Sequence, residues 1–514
     1  MIAASGTERE WLCDTGMVTD APQTQSRPGA GPLNGTLSEL AAATGGRVLH
    51  SSDRPIHGVA VDSRTVGPGN LFVALAGERT DGHRFLRAAV EAGAAALLVN
   101  LLPSEAADLA REGGPTIVAV PDTLFGLHAV AATWRARFTP LIVGVTGSIA
   151  KTSTKEAIAT VLSERFVTLK SEGNANNEIG LPLTILRMGP EHEAAVLEMG
   201  MYVGGEIAQL AMIAQPKIGV VTAVREVHLS RIGSIDAVER AKGELVQALP
   251  VNGMAVLNAD DPRVLRMRDI SVAEVLTYGF SPDADVRAED VASAGLDGMS
   301  FMLVTPAGRV RTSTPALGRH GVHNGLAAAA VGIAAGLDLD LIAAGLSRGW
   351  HAPHRDEIVR VGSLTILDDS YNASPASMIA ALELLATLPG RHVAVLGEMR
   401  ELGEAHDRGH REVGAAAAGL AEVVVVVGEG AAGIAAGAAS LGGAVVAVPD
   451  RDAALAALRE LLRPGDVVLV KASRGAELER IVESLAGSWG SWVDGAVDGT
   501  DPATSNRPRR MTVD

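Results

Sequence analysis

A single cysteine, Cys13, stands in 514 residues. That count excludes an internal disulfide and any cysteine-rich metal site, and it fits a reducing, cytoplasmic setting. Positive charge is also short: 44 Lys and Arg face 60 Asp and Glu, for a formal net charge of −16. A field of that sign disfavours nucleic acid and anionic membranes as partners, so an anionic ligand needs a local pocket that opposes the global charge. Aromatic residues are scarce at 3%, which beside the abundance of Ala, Gly and Arg points to GC-rich coding DNA and to nothing about function. The first sixteen residues hold no apolar stretch of the signal-peptide kind. A spanning helix needs ~20 uninterrupted apolar residues. The nearest approach, 413–448, is broken by Glu422, Glu429 and repeated glycines. It reads as an Ala-rich helix, a buried Val strand at 423–427, a small-residue helix and a strand at 444–448. No membrane insertion is expected, and the chain is expected to be a monomer.

What is present is a globular composition, 47% hydrophobic and 20% charged. At about 150 residues per domain the length predicts three domains. Residues 1–35 read as a disordered arm and 488–514 as a disordered tail. Between them, short Val/Ile/Leu runs alternate with Ala-rich helical segments, which predicts an α/β fold with mainly parallel sheets. Residues 36–121 read as a small α/β N-terminal domain. Residues 122–349 read as a central P-loop-type ATPase α/β domain, and 350–487 as a C-terminal doubly wound, Rossmann-like domain.

The strongest chemical signal is LIVGVTGSIAKTSTKEAIATVL at 141–162. A buried strand runs into a turn holding Gly147, Ser148, Ile149 and Ala150, then into a helix that opens with Lys151, Thr152 and Ser153. Such a turn aims backbone N–H groups and a helix N-terminus at a phosphate. Lys151 would reach the β/γ-phosphates and the Thr152 hydroxyl would ligate Mg²⁺. The strict phosphate-loop pattern wants glycine at 145 and 150, where this chain has Val145 and Ala150. If position 150 is left-handed, alanine costs roughly 1–2 kcal/mol; if it is not, the methyl crowds the nucleotide.

Three further residues suit a metal site. Glu198 ends the strand AAVLEM, His228 follows the strand IGVVTAV, and Lys242 lies in the helical segment AVERAKGEL. Parallel strands present their C-terminal ends on one edge, so Glu198 and His228 are expected to meet Thr152 there. Mg²⁺ prefers oxygen ligands, so the histidine suggests a second divalent site.

Taken together, these segments resemble the Mur ligases, ATP-dependent amide-forming enzymes of peptidoglycan synthesis. The resemblance runs over about 36–487. It is carried by VDSRTVGPGNLFVALAGERTDGH, VTGSIAKTSTKE, GNANNEIGLPLTIL, LEMGMYVGGEIA, VHLSRIGS, VLNADDP, PHRDEIV, DDSYNASPASM, VLGEMRELGE and VKASRG in that order. Within the family, DDSYNASP and GEMRELGE look most like the branch that adds D-Ala-D-Ala to UDP-N-acetylmuramoyl-tripeptide.

The resemblance implies that ATP phosphorylates the tripeptide carboxylate and that the dipeptide amine then attacks the acyl phosphate, releasing ADP and phosphate. It makes 36–121 a UDP-sugar-binding domain, with Ser63 and Arg64 on the uridine diphosphate. It puts Thr152 and Glu198 on one Mg²⁺, and His228 on a second with Lys242, a position often carbamylated. His320 and Asn324 would contact adenine, and Arg355 and Asp369 would reach ATP from the third domain. Asn176 and Asn177 would touch the muramoyl substrate, and Tyr371 and Asn372 would sit near the incoming dipeptide. His406 and His410, four apart like a metal pair, fall outside the ATP site. Departures from the family pattern include Ile149, Ala150, Ala223, Arg225 and Glu226. The alternatives are a ligase of the same type using another acceptor amine, and a non-catalytic nucleotide-binding paralogue.

Overall fold

In the computed structural model the described residues are 33–77, 80–100, 108–110, 113–226 and 229–497. Their strands form three large sheets and one two-stranded ribbon. The first sheet runs in the order Arg47–His50, Thr116–Val120, Ala96–Asn100, Leu71–Val73, Val59–Ala60. Only its Arg47–His50 edge is antiparallel. Leu71–Val73 and Thr116–Val120 are buried at every position, as expected of parallel strands covered on both faces.

The central sheet has nine strands. Its parallel part is ordered Thr168–Lys170, Ala194–Glu198, Leu141–Thr146, Ile218–Val221, Met254–Asn258, Glu274–Gly279. The chain leaves Leu141–Thr146 toward one edge and later returns on its other side, so a crevice opens above the C-terminal ends of these strands. The remaining strands, Val286–Ser293, Met299–Thr305 and Gly308–Thr314, pair antiparallel with one another. No Val/Ile run announces them; they alternate buried and outward residues, with Arg287, Glu289, Arg309 and Arg311 on the outside. The third sheet is ordered Glu357–Val361, Leu364–Asp368, Asp466–Lys471, Arg391–Gly397, Val423–Val427, Val445–Val448, antiparallel only at its first pair. The segment 413–448 is helix, strand, helix and strand, as its composition predicts. Among the described residues no helix is long and apolar enough to cross a membrane.

Both ends of the ordered chain extend beyond the expected limits. Leu33 is buried in the same cluster as Trp134, and Asn34–Gly35 pairs antiparallel with Ile56–His57, so order begins before residue 36. The last helix, Glu479–Val497, runs past 487. It continues because Leu485 and Trp489 are buried against Val468 and Val470 of the third sheet. Residues 1–32 and 498–514 lie outside the described residues.

The helix Lys151–Leu162 packs directly on Gly318–Ala334. A run of fully buried alanines, Ala327 to Ala330, faces this interior and allows the close approach. The central and third layers meet through Leu317, which is buried in the core of the third sheet. Two polar contacts lie across the same junction, His320–Asp356 at 3.0 Å and Glu226–Arg408 at 2.9 Å.

Candidate active site

The phosphate loop is fixed mostly by backbone. Ser148 N donates to Ala223 O at 2.8 Å, Arg225 N donates to Ser148 Oγ at 2.9 Å, and Thr222 Oγ1 donates to Ile149 O at 2.6 Å. Two of the departures from the family pattern, Ala223 and Arg225, thus hold the loop through main-chain atoms, which any residue supplies at 223 and any but proline at 225. Gly147 is required by space, since a Cβ there would stand 1.9 Å from Thr222 Oγ1. Ala150 has φ 64° and ψ 2°, a left-handed conformation, immediately before the helix. That settles the alternatives at this position: the alanine adopts the shape a glycine would give, with the steric cost of its methyl.

Lys151 opens the helix and Thr152 follows, both held over the end of Leu141–Thr146. Register places Glu198 beside Val145 on the neighbouring strand. Thr152 Oγ1 donates to Glu198 Oε2 at 2.8 Å, and Asn176 Nδ2 donates to Glu198 Oε1 at 2.8 Å. The expected Thr152–Glu198 meeting is therefore present, and Asn176 belongs to the same cluster. Lys151 Nζ donates to Gly147 O at 2.8 Å. Burial lowers its pKa and the nearby Arg355 charge lowers it further, against the pull of Glu198.

Lys242 is 1% exposed and its amine has no hydrogen-bond partner among the described residues. Burial, then the Lys151 charge, push its pKa well below the usual lysine range. The Glu198 carboxylate and the Thr152 hydroxyl are oxygen donors of the kind that suits Mg²⁺. Lys155, also fully buried, donates to Ser171 O at 2.6 Å, and Ser171 Oγ accepts from Glu198 N at 3.1 Å. This supporting pair gives no signal in the sequence beyond a second lysine on the helix.

The third sheet brings its own groups to the crevice. Lys471, 2% exposed, donates to Asp369 Oδ2 at 2.5 Å and to Asn372 O at 2.9 Å. Burial pushes the Asp369 carboxyl up to about 6 against the pull of Lys471. Arg355 lies 4.2 Å from the centroid of the Tyr371 ring, and Arg474 lies 5.4 Å from it. Lys471 and Arg474 come from the VKASRG segment and were not singled out by sequence; only their contacts with residues about a hundred positions away reveal them.

Other expected residues are placed as follows. Asn177 Oδ1 accepts from Gly180 N at 2.9 Å, in the turn that precedes the short helix Gly180–Ile185. Asn324 is buried and accepts from Thr154 Oγ1 at 3.1 Å, which puts it between two helices. His320 pairs with Asp356 at 3.0 Å. Ser63 opens a short 3-10 helix, and Arg64 pairs with its neighbour Asp62 at 2.6 Å. Ser153 is half-buried in the first turn after the phosphate loop. His228 lies outside the described residues. His410 makes no metal pair with His406, because its Nε2 accepts from Met399 N at 2.9 Å and its Nδ1 donates to His406 O at 2.7 Å.

Known proteins resemble this chain in sequence and fold. Family profiles match in three segments: Mur ligase family, catalytic domain at 55–123; Mur ligase middle domain at 145–332; and Mur ligase, glutamate ligase domain at 354–474. The UDP-N-acetylmuramoyl-tripeptide–D-alanyl-D-alanine ligase of Escherichia coli (strain K12) is 38% identical over 458 residues, covering 88% of this chain and 98% of that enzyme. A crystal structure of MurF from Acinetobacter baumannii is 29% identical with a TM-score of 0.81, covering 88% of this chain and 99% of that one. The MurF ligase from Thermotoga maritima in complex with ADP is 28% identical with a TM-score of 0.75, covering 84% and 98%.

Proposed function

The chain belongs to the Mur ligase family, and from that premise we propose how its residues carry out the ATP-dependent joining of D-alanyl-D-alanine to UDP-N-acetylmuramoyl-tripeptide, the reaction for which its relatives are named. A carboxylate oxygen of the tripeptide attacks the γ-phosphorus of ATP and ADP leaves. The amine of D-Ala-D-Ala attacks the resulting acyl carbon, loses its proton, and phosphate leaves as the amide forms. Both partners of the first step are anionic, so the site must oppose their repulsion.

In this reading the loop 147–150 presents its backbone N–H groups to the ATP phosphates, and Lys151 supplies the charge at the β/γ-phosphates. Thr152 and Glu198 would hold Mg²⁺, with Asn176 orienting the carboxylate. The metal would screen phosphate charge. His228 would serve a second metal. Arg355, already close enough to depress Lys151, approaches the same phosphates from the third sheet. Tyr371 and Asn372 belong to the dipeptide side, and Asp369 to the ribose or phosphate. Ser63 and Arg64 remain assigned to the uridine diphosphate. The burial of Asn324 favours a packing role, with His320 left as the adenine-side residue.

Lys242 has a specific use. A neutral amine adds CO₂ and loses a proton, which turns a would-be cation into a carbamate. Its depressed pKa supports that chemistry, and the adjacent Lys151 charge would stabilise the product anion. The left-handed Ala150 argues against a dead paralogue, since the loop keeps its shape without glycine. The single cysteine supports a reducing, cytoplasmic setting.

The observation that carries the reading is the Thr152–Glu198 pair with Lys242 buried and Lys151 half-buried around it. The test is phosphate release from ATP with UDP-muramoyl tripeptide, with and without D-Ala-D-Ala, plus the product mass. Dipeptide-dependent release and a pentapeptide product are expected. Release with another amine but not with D-Ala-D-Ala would reassign the acceptor.

A further inference from the structure

We propose that Arg474 binds the free C-terminal carboxylate of the incoming dipeptide, a specificity contact that builds on the ligase reading above. The residue is exposed and its guanidinium meets no carboxylate among the described residues. Its one polar contact is Nη1 to Tyr371 Oη at 3.3 Å. Charged groups flanking it in the third domain pair among themselves. Arg400 pairs with Glu398, Arg391 with Asp466, and Glu477, only three residues from Arg474, pairs with Arg451 and Arg480 instead. In a chain carrying a net charge of −16, an arginine left without an anion at the mouth of a catalytic crevice is set aside for one.

The segment that presents Arg474 is tightly built. Ser473 N donates to Glu398 O at 2.9 Å, and Arg400 N donates to Ser473 Oγ at 2.9 Å. The Arg400 guanidinium lies so close over Gly475 that a Cβ there would meet Nη1 at 2.0 Å. Lys471, on the strand leading into this segment, also ties down the loop carrying Tyr371. Tyr371 and Arg474 are therefore fixed as one unit. Arg355 shares the same ring and lies within the field of Lys151, so the Tyr371 ring links Arg474 to the side of the crevice that holds the phosphate loop. A dipeptide lying along this line has its amine toward the phosphate-loop side and its carboxylate toward Arg474. A guanidinium fork matches a carboxylate with two parallel hydrogen bonds.

The test compares D-Ala-D-Ala with its C-terminal carboxamide as acceptors, in wild type, Arg474→Gln and Arg474→Lys. Wild type is expected to prefer the acid by about 10- to 100-fold in kcat/KM, the range for a hydrogen bond to a charged group. In Arg474→Gln that ratio should fall toward one, through a higher dipeptide KM, while the KM for ATP stays put. Arg474→Lys should recover part of the ratio. An undiminished ratio in Arg474→Gln, or equal losses on acid and amide, would overturn the assignment and leave Arg474 structural. Failure of wild type to use D-Ala-D-Ala at all would instead remove the ligase reading, and this inference with it.

Discussion

Two charged regions face the same crevice and are built in opposite ways. On the central sheet the charged groups are taken out of water: Glu198 and Lys242 are each 1% exposed, and Lys242 lies within the field of Lys151. On the third sheet Arg474 is exposed and Arg355 half-buried, both resting on an aromatic ring. Burying the Lys242 amine beside the half-buried Lys151 is costly unless an anion compensates them. On the proposed reading, the central region is thus preset for phosphate and metal before any substrate arrives. The third-sheet region is left open, which suits a ligand that enters second.

The comparison is broken most severely at Lys151. Lys151→Ala removes the one cation fixed against the loop and is expected to lower kcat by roughly 10²- to 10³-fold, the usual loss for a charge-stabilising group. Phosphate release under saturating substrates measures it; a loss below about tenfold would sink the phosphate-site assignment. Next comes Lys242. If its amine carries CO₂ as a carbamate that supports the metal, removing bicarbonate should slow turnover, and Lys242→Met should cost about 10- to 100-fold, as for other groups that orient a metal. A ¹³C-bicarbonate carbamate resonance that survives in Lys242→Met would refute the site.

The two regions also differ in how far sequence reveals them. Glu198 was legible because buried parallel strands align their ends, and its register beside Val145 follows from that. The αL turn at 150 was open, because a loop sequence alone does not set φ. Arg474 carries no periodic or positional signal; its meaning arises from a ring 103 residues away. Asn177, read as a substrate contact, accepts from Ile179 N and Gly180 N, a local turn that the sequence does not announce. Asn324 was read as an adenine contact, yet it lies on the face of its helix turned to Thr154. Two of the outer strands, Val286–Ser293 and Gly308–Thr314, were missed because charged residues interrupt them and mask them from a search for apolar runs.

A smaller effect tests the third sheet alone. His410 is fully buried and bonded only to backbone, with Nε2 as acceptor, so it must be neutral to hold Met399. Burial, the largest influence, lowers its pKa below the ordinary value of 6.5. The unfolded chain therefore takes up the proton first. The stability His410 provides is full above the unfolded pKa and is lost as pH falls through the lower folded value. Denaturant unfolding between pH 7.5 and pH 5 should show a decline of about 1–2 kcal/mol from this group, flattened in His410→Gln. An unchanged slope would show that other groups govern it.

The smallest effect probes the preset character of the phosphate loop itself. Ala150 at φ 64° bears a steric cost of roughly 1–2 kcal/mol. Ala150→Gly removes it but frees the unfolded chain by roughly 0.5–1 kcal/mol. The net gain should be at most about 1 kcal/mol, read as a higher urea midpoint at constant slope. Because the loop already holds the glycine-like shape, nucleotide affinity should change by no more than about twofold, under 0.5 kcal/mol. Greater stability with unchanged ATP affinity locates the cost in the backbone. Tighter ATP binding at unchanged stability would instead locate it in the methyl pressing on the nucleotide, and the loop would then be shaped by its ligand rather than ahead of it.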